Sequence, residues 1–463
     1  MTGAKIKSAP NELHSFVKKE SIVLKTDLTQ GETAKSLLVF AFPMILGNIL
    51  QQAYNISDTL IIGRFLGEDA LAAVGSTYTL TTFIYSIITG LCMGSGALVS
   101  YFRGKNDKDR QCACITDSFF IVGTVSAAAL IVTLCFLDGI IGLLNTPQGI
   151  FSLTKDYAEI IFPGIIFIFL YNYYAYMLRA FGNSSVPLIF LGSASVVNVV
   201  LDIVFTVYLK LGVKGAAYAT LIAQAASGIG LAVYAVITEH EMRLRYKKGC
   251  FFETLRMSLS ASVQQSVMNF GILMIQGLVN SFGTAVMAAF TIAVKIDTLA
   301  YMPAQEFGNA FSLFISQNYG AQKYDRIKNS CKTAFLISVS FCAIVSAAVY
   351  VFAKELMEIF VGTDGTGIVA QGVSYLRTEG AFYVGIGVLF LLYGYFRGIN
   401  KPEISLVLTV ISLGTRVALA YFLSSFDAAG VYGIWVSIPI GWFLADAAGF
   451  LLLKVRSHNT QRN

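Results

Sequence analysis

The sequence predicts an all-α polytopic membrane protein. Twelve transmembrane helices form two six-helix lobes, related as parallel repeats around a central cleft. Three observations carry this. The chain is 56% hydrophobic and 13% charged, with a mean hydropathy of +0.67; a soluble domain carries about 25% charged residues. Apolar segments long enough to cross a hydrocarbon core of about 30 Å recur along the whole chain. The two halves match each other at a nearly constant offset.

In chain order the apolar segments run 37–62, 71–101, 114–137, 157–181, 187–209, 214–238, 258–282, 286–315, 331–353, 373–396, 402–424 and 428–453. Period-two alternation is absent, which argues against a β-barrel. Residues 1–35 are polar, lack the apolar core of a signal peptide, and are expected to form a cytoplasmic tail. The N-terminal lobe then spans 36–238. The basic stretch "EHEMRLRYKKG" (Glu239–Gly249) opens an inter-lobe linker, 239–257. The C-terminal lobe spans 258–454, and 455–463 form a second tail.

Charge placement sets the expected orientation. With the N-terminus inside, twenty-five of the 33 basic residues fall on the inner side, six outside and two within spans. Such asymmetry places both termini in the cytoplasm of a plasma (inner) membrane. It also explains the net charge of +6 without nucleic acid. None of the seven cysteines is paired across an outer loop, and His14, His240 and His458 lie in tails or loops. No nucleotide-binding loop, zinc motif or nucleophile–base pairing is present. The chain is expected not to be an enzyme and to need no cofactor.

The repeat is read directly. At an offset of 216, Gly67 meets Gly283, Ala72-Ala73 meet Ala288-Ala289, and Thr82 and Tyr85 meet Thr298 and Tyr301. Ser100 meets Ser316, Gly104 meets Gly320, and Asp109-Arg110 meet Asp325-Arg326. Further along the offset becomes 218, and Arg179 meets Arg397. Six spans per repeat return the chain to one side, so the lobes share an orientation. This is the architecture of a secondary transporter with a midplane site.

Ionisable groups within spans are costly and therefore functional candidates. They are Asp58, Asp202, Lys295, Asp297, Glu306, Arg416 and Asp446; Asp117 and Glu379 sit near span ends, where solvation is cheap. Asn198 and Asp202, four apart, share one helix face. With Thr220 and Asn172 they give Asp58 an oxygen-rich set that suits Na⁺ or a shared proton. The alternative is a structural hydrogen-bond network. Pro43 lies about four turns before Asp58; it is either a hinge or a first-turn proline. Lys295, Asp297 and Glu306 read as ion-pair or substrate groups, and Arg416 and Asp446 as a possible pair. "LYNYYAYM" (Leu170–Met177) sets Tyr171, Tyr173, Tyr174 and Tyr176 around Asn172, ring faces that suit aromatic or cationic substrates.

Together these residues resemble the multidrug and toxic compound extrusion (MATE) family over nearly all of 35–455. The resemblance rests on "FPMILGNILQQAYNISDTLIIGRFLGEDALAAVG" (Phe42–Gly75), "FISQNYGAQKYDR" (Phe314–Arg326), "FRGINKP" (Phe396–Pro402) and "GVYGIWVSIPIGW" (Gly430–Trp442). It implies cation-coupled export by alternating access, with a cation site in the N-terminal lobe at Asp58, Asn198, Asp202, Thr220 and Asn172. It also places the first-span proline at Pro43. The seventh span, "SLSASVQQSVMNFG" (Ser258–Gly271), lacks the glutamate of some relatives, so coupling is expected in the N-terminal lobe alone. The cleft is expected to use Tyr171, Tyr174, Gln264, Gln265 and Glu306. Expected substrates are amphipathic or cationic organic compounds, drugs and toxic amphiphiles among them, exported by H⁺ or Na⁺ antiport. The protein is expected to work in the bilayer as a monomer. The rival readings are a lipid-linked glycan flippase, which calls for a strongly basic cleft, and a channel or receptor.

Overall fold

The computed structural model describes residues 25–143, 146–245, 247, 249–361 and 366–460. Most of the expected N-terminal tail, His14 included, lies outside them. The N-terminal lobe comprises α1 (Thr33–Leu66), α2 (Glu68–Gly104), α3 (Lys108–Cys135), the short α4 (Leu137–Leu143), α5 (Gln148–Ile161), α6 (Ile165–Ala180), α7 (Ser185–Asp202) and α8 (Val213–Thr238). A 3₁₀ turn at Phe162–Gly164 joins α5 to α6 as one span, and a π-turn at Ile203–Tyr208 extends α7. The C-terminal lobe comprises α9 (Phe251–Asn280), α10 (Thr284–Gly320), α11 (Tyr324–Val351), the short α12 (Ala353–Val361), α13 (Thr366–Gly380), α14 (Tyr383–Gly398), α15 (Pro402–Ser424) and α16 (Gly430–Thr460).

Twelve spans result. Among the described residues, ten helices are long and apolar enough to cross a membrane, and the α13–α14 pair, bent by 51° between Gly380 and Tyr383, makes an eleventh. The twelfth, α9, is more polar because one face packs on α2 instead of lipid: Ser262 Oγ donates to the Ile87 carbonyl at 3.0 Å, and Gln264 is buried. Large apolar side chains point outward around the bundle, Leu60 and Ile344 being 65% and 70% exposed. A bilayer is the solvent that accepts such a surface. Each lobe has its own apolar core, and a third cluster around Leu28, Phe40 and Phe314 joins them.

The repeat is visible in the backbone. Gly67 and Gly283 both take positive φ, 89° and 97°, at the hairpin after the first helix of each lobe, a conformation that favours glycine. The lobes meet where α2 crosses α10, at the end that carries the termini. There Ser100 Oγ donates to the Leu313 carbonyl at 3.0 Å and Ser316 Oγ to the Ala97 carbonyl at 2.5 Å. Both donors and both acceptors are 216 residues apart, so one contact is the image of the other. A Cβ on Gly104 would clash with the Gln317 carbonyl oxygen, and one on Gly320 with that of Tyr101.

Residues 25–32, read as part of the tail, are packed across this same end. Leu28 is fully buried. Thr26 N–H donates to the Gly182 carbonyl and Lys25 pairs with Glu239, both in the N-terminal half. From the C-terminal lobe, Asn318 and Arg326 donate to the Leu28 carbonyl, Lys323 to Thr29, and Arg326 also to Gln30 and Gly31. The segment therefore straps the two lobes together immediately before α1.

Candidate functional site

Asp58 projects from α1 toward α7, where Asn198 and Asp202 lie one turn apart on the facing side. The Asp58 and Asp202 carboxyls are within hydrogen-bonding reach of each other. Asn198 Nδ2 donates to Thr220 Oγ1 of α8 at 3.3 Å. Asp202 and Asn198 are 0% and 2% exposed. Directly after Asp202 the helix widens into its π-turn, held by Thr206 Oγ1 donating to the Asp202 carbonyl. Such turns concentrate at functional sites.

Four buried acceptors here have no donor: Asp58 Oδ1, both carboxyl oxygens of Asp202, and Asn198 Oδ1. Among the described residues no lysine or arginine pairs with either carboxylate. Buried acceptors without donors are expensive, and a cation or a proton satisfies them. Na⁺ takes such oxygens as ligands; a proton placed between the two carboxyls turns one of them into a donor.

Two cavities that share lining residues lie beside this group. The smaller, about 40 Å³, is lined by Asn198, Thr220 and Tyr54. The larger, about 160 Å³, is walled by the N-terminal lobe, with Asn48, Tyr171, Asn172, Tyr176 and Arg179 among its lining, and Glu306 is the lining residue from the C-terminal lobe. Tyr54 and Gln224 border both. Gln224 Nε2 donates to Tyr85 Oη at 2.8 Å. Glu306, from α10, reaches across the cleft: its Oε1 accepts from Asn48 of α1 at 3.0 Å and from Asn309 at 3.2 Å.

Sequence reasoning therefore brings together Asp58, Asn198, Asp202 and Thr220, and separately Tyr171 and Glu306. Other expectations need correction. Asn172 lines the larger cavity and donates to the Ile168 carbonyl at 2.9 Å, apart from Asp202. Tyr174 is buried edge-on against Tyr173, 5.0 Å between ring centres, and lines neither cavity. Gln264 and Gln265 line neither cavity, and Gln264 is buried. Pro43 lies well inside α1, which starts at Thr33, so it is not a first-turn proline. Lys295 is exposed and, as the two-residue spacing implies, forms no pair with Asp297; among the described residues it forms no ion pair at all.

The C-terminal lobe holds a second carboxyl pair that the sequence reading missed. Asp297 and Glu379, each 2% exposed, stand side by side. Tyr383 Oη donates to Asp297 Oδ1, and Tyr375 lies within hydrogen-bonding reach of both carboxyls. Arg416 lies within electrostatic reach of Glu379 and not of Asp446, but forms no ion pair within 4 Å among the described residues; its Nε, Glu379 Oε2 and Asp297 Oδ2 are buried without hydrogen-bond partners. Glu379 was set aside as a span-end residue, but the bend between α13 and α14 tucks it inward. Arg179 and Arg397 were likewise counted as inner-side charges. Arg179 lines the cavity, and Arg397 is 3% exposed, donating to Ser312 and Asn309. Their match at offset 218 was the available signal.

Comparison with known proteins agrees with this layout. A family model described as MatE matches residues 43–204 and again 260–422, one match per lobe. The probable multidrug resistance protein YpnP of Bacillus subtilis (strain 168) is 30% identical over 437 residues, 92% of this chain and 96% of its own. A solved MOP superfamily transporter from Pyrococcus furiosus superposes with a TM-score of 0.88 at 25% identity, covering 93% of this chain and 97% of its own. So does a multidrug resistance MATE transporter solved in an outward-facing conformation, with a TM-score of 0.88 at 24% identity, covering 95% and 99%.

Proposed function

This chain belongs to the MATE (MatE) family, and from that membership we propose that it is a secondary active exporter of amphipathic organic compounds, driven by H⁺ or Na⁺ antiport. The observation that carries the coupling is the set of four unpartnered buried acceptors at Asp58, Asp202 and Asn198, with no basic side chain beside them. A cation entering from outside neutralises the pair and draws α1 toward α7. Pro43 lacks a backbone N–H to hold the helix straight, so α1 can flex there. Substrate in the larger cavity, bordered by α1, is displaced as the helix moves.

In this reading the end closed by Ser100, Ser316 and the 25–32 strap is cytoplasmic, as the basic loops predict. The conformation is then the outward-facing one, in a plasma membrane, with the protein acting as a monomer. A lipid-linked glycan flippase has less support: a pyrophosphate calls for clustered basic groups, and the larger cavity is lined by a single arginine, with the acidic Glu306 in the same lining.

The test is export from proteoliposomes with ΔpH and ΔNa⁺ imposed separately, over a panel of organic compounds. One gradient alone is expected to drive export, and Asp58→Asn to abolish that drive. Wild-type rates against a gradient from Asp58→Asn would overturn the reading.

A further inference from the structure

The larger cavity presents two open charges of opposite sign on opposite lobes. Arg179, from α6, lies over the Tyr176 ring, 5.2 Å from its centre, and its Nε is buried without a hydrogen-bond partner. Glu306, from α10, is held by two amides on one carboxyl oxygen, and its Oε2 is left for the cavity. The two residues interact electrostatically but form no ion pair within 4 Å. Arg397 is also within electrostatic reach of Glu306 but is engaged by Ser312 and Asn309. Tyr171 and Tyr176 line the same cavity.

A purely cationic ligand would satisfy Glu306 and be repelled by Arg179; a purely anionic one would meet the reverse. Burying an unpaired charge costs several kcal/mol. Only a ligand with both signs, set apart along an apolar body, satisfies both groups. The cavity, about 160 Å³, is below the roughly 300 Å³ of a drug-sized pocket and suits a single ring. Bidentate recognition of carboxylate is what a guanidinium does best.

We propose that the cavity selects aromatic zwitterions, with Arg179 reading the carboxylate and Glu306 the ammonium group. This rests on the exporter reading above and narrows its substrate class. Such a ligand would bridge the lobes, because Arg179 and Glu306 belong to different ones. It would take over the lobe-to-lobe role that the Asn48–Glu306 hydrogen bond plays here.

The test is calorimetric binding to the purified transporter in lipid nanodiscs with three matched probes. These are 4-(aminomethyl)benzoate (zwitterion), its methyl ester (cation) and 4-methylbenzoate (anion). The zwitterion is expected to bind at least about tenfold tighter than either relative, the scale of one charge-assisted hydrogen bond. Arg179→Gln should abolish the zwitterion's advantage over the ester, which itself binds no more weakly once the repelling guanidinium is gone. Glu306→Gln should bring the zwitterion down to the level of 4-methylbenzoate, and Arg179→Lys should keep part of the preference. The proposal is overturned if the ester binds as well as the zwitterion, if Arg179→Gln weakens all three alike, or if the zwitterion shows no saturable binding. Gradient-driven export of a cationic dye, measured in parallel, separates the two readings. Dye export without the three-probe pattern overturns this inference alone; the pattern without gradient-driven export overturns the exporter.

Discussion

The two lobes solve the same electrostatic problem in opposite ways. Each buries a pair of carboxyls: Asp58 and Asp202 in one, Asp297 and Glu379 in the other. In the C-terminal lobe Arg416 is within electrostatic reach of Glu379, and two tyrosines lie within hydrogen-bonding reach of the pair, although Asp297 Oδ2 and Glu379 Oε2 are left without partners. In the N-terminal lobe no basic group among the described residues is within such reach of the pair. At the repeat offset of 218, Arg416 falls on Asn198. One helix position thus holds a guanidinium in one lobe and a neutral amide in the other. A side-chain cation cannot leave, so that lobe keeps a positive charge within electrostatic reach of Glu379. In the exporter reading proposed above, the lobe that lacks one draws it from solution, and that exchange is what couples it to a gradient.

The sharpest way to break this comparison is to neutralise one carboxyl in each lobe. Asp202→Asn should reduce gradient-driven export to the leak of empty vesicles. Glu379→Gln should keep the gradient dependence, with the rate within about threefold of the wild type. Loss of coupling in Glu379→Gln would place an exchangeable cation in both lobes. Next in size is removal of the resident charge. Arg416→Asn leaves Asp297 and Glu379 uncompensated and should destabilise the fold by about 3–5 kcal/mol. A lower thermal midpoint in detergent, partly restored by adding Glu379→Gln, would confirm it; an unchanged midpoint would show that Arg416 is not the counter-charge. The smallest effect tests what the lobes share. Gly104→Ala and Gly320→Ala each force a Cβ against a backbone carbonyl, at about 1–3 kcal/mol. Their losses in thermal midpoint should match; a clear difference would mean that the two sides of the seam carry unequal strain.

Much of this was legible in the sequence because membrane insertion and duplication leave patterns that one chain can display. Asp58 is conspicuous in "YNISDTLIIG" since a bilayer tolerates so few charges. Asn198 and Asp202 follow from a four-residue spacing, and Thr220 from the family resemblance. What stayed hidden depended on depth and facing. Glu379 reads as a solvated end until the 51° bend turns it inward. Arg179 and Arg397 follow the positive-inside pattern so well that their second role is masked. Gln264 and Gln265 imitate cleft residues, but α9 spends its polarity on packing against α2. Tyr173 and Tyr174 differ from Tyr171 and Tyr176 only in which way the helix face turns, and a run of alternating tyrosines does not disclose that.

The crossing of α2 and α10 has a consequence of its own. Contacts in which each partner offers the other the same residues are the mark of a symmetric homodimer. Here that dimer-like patch is folded into one polypeptide, Ser100 against Leu313 and Ser316 against Ala97. In a true homodimer every substitution is made twice, so the two halves can never differ. Fusion removes that constraint. The matched patch keeps the lobes in register, while their interiors are free to specialise, one around an open pair of acids and the other around a captive arginine.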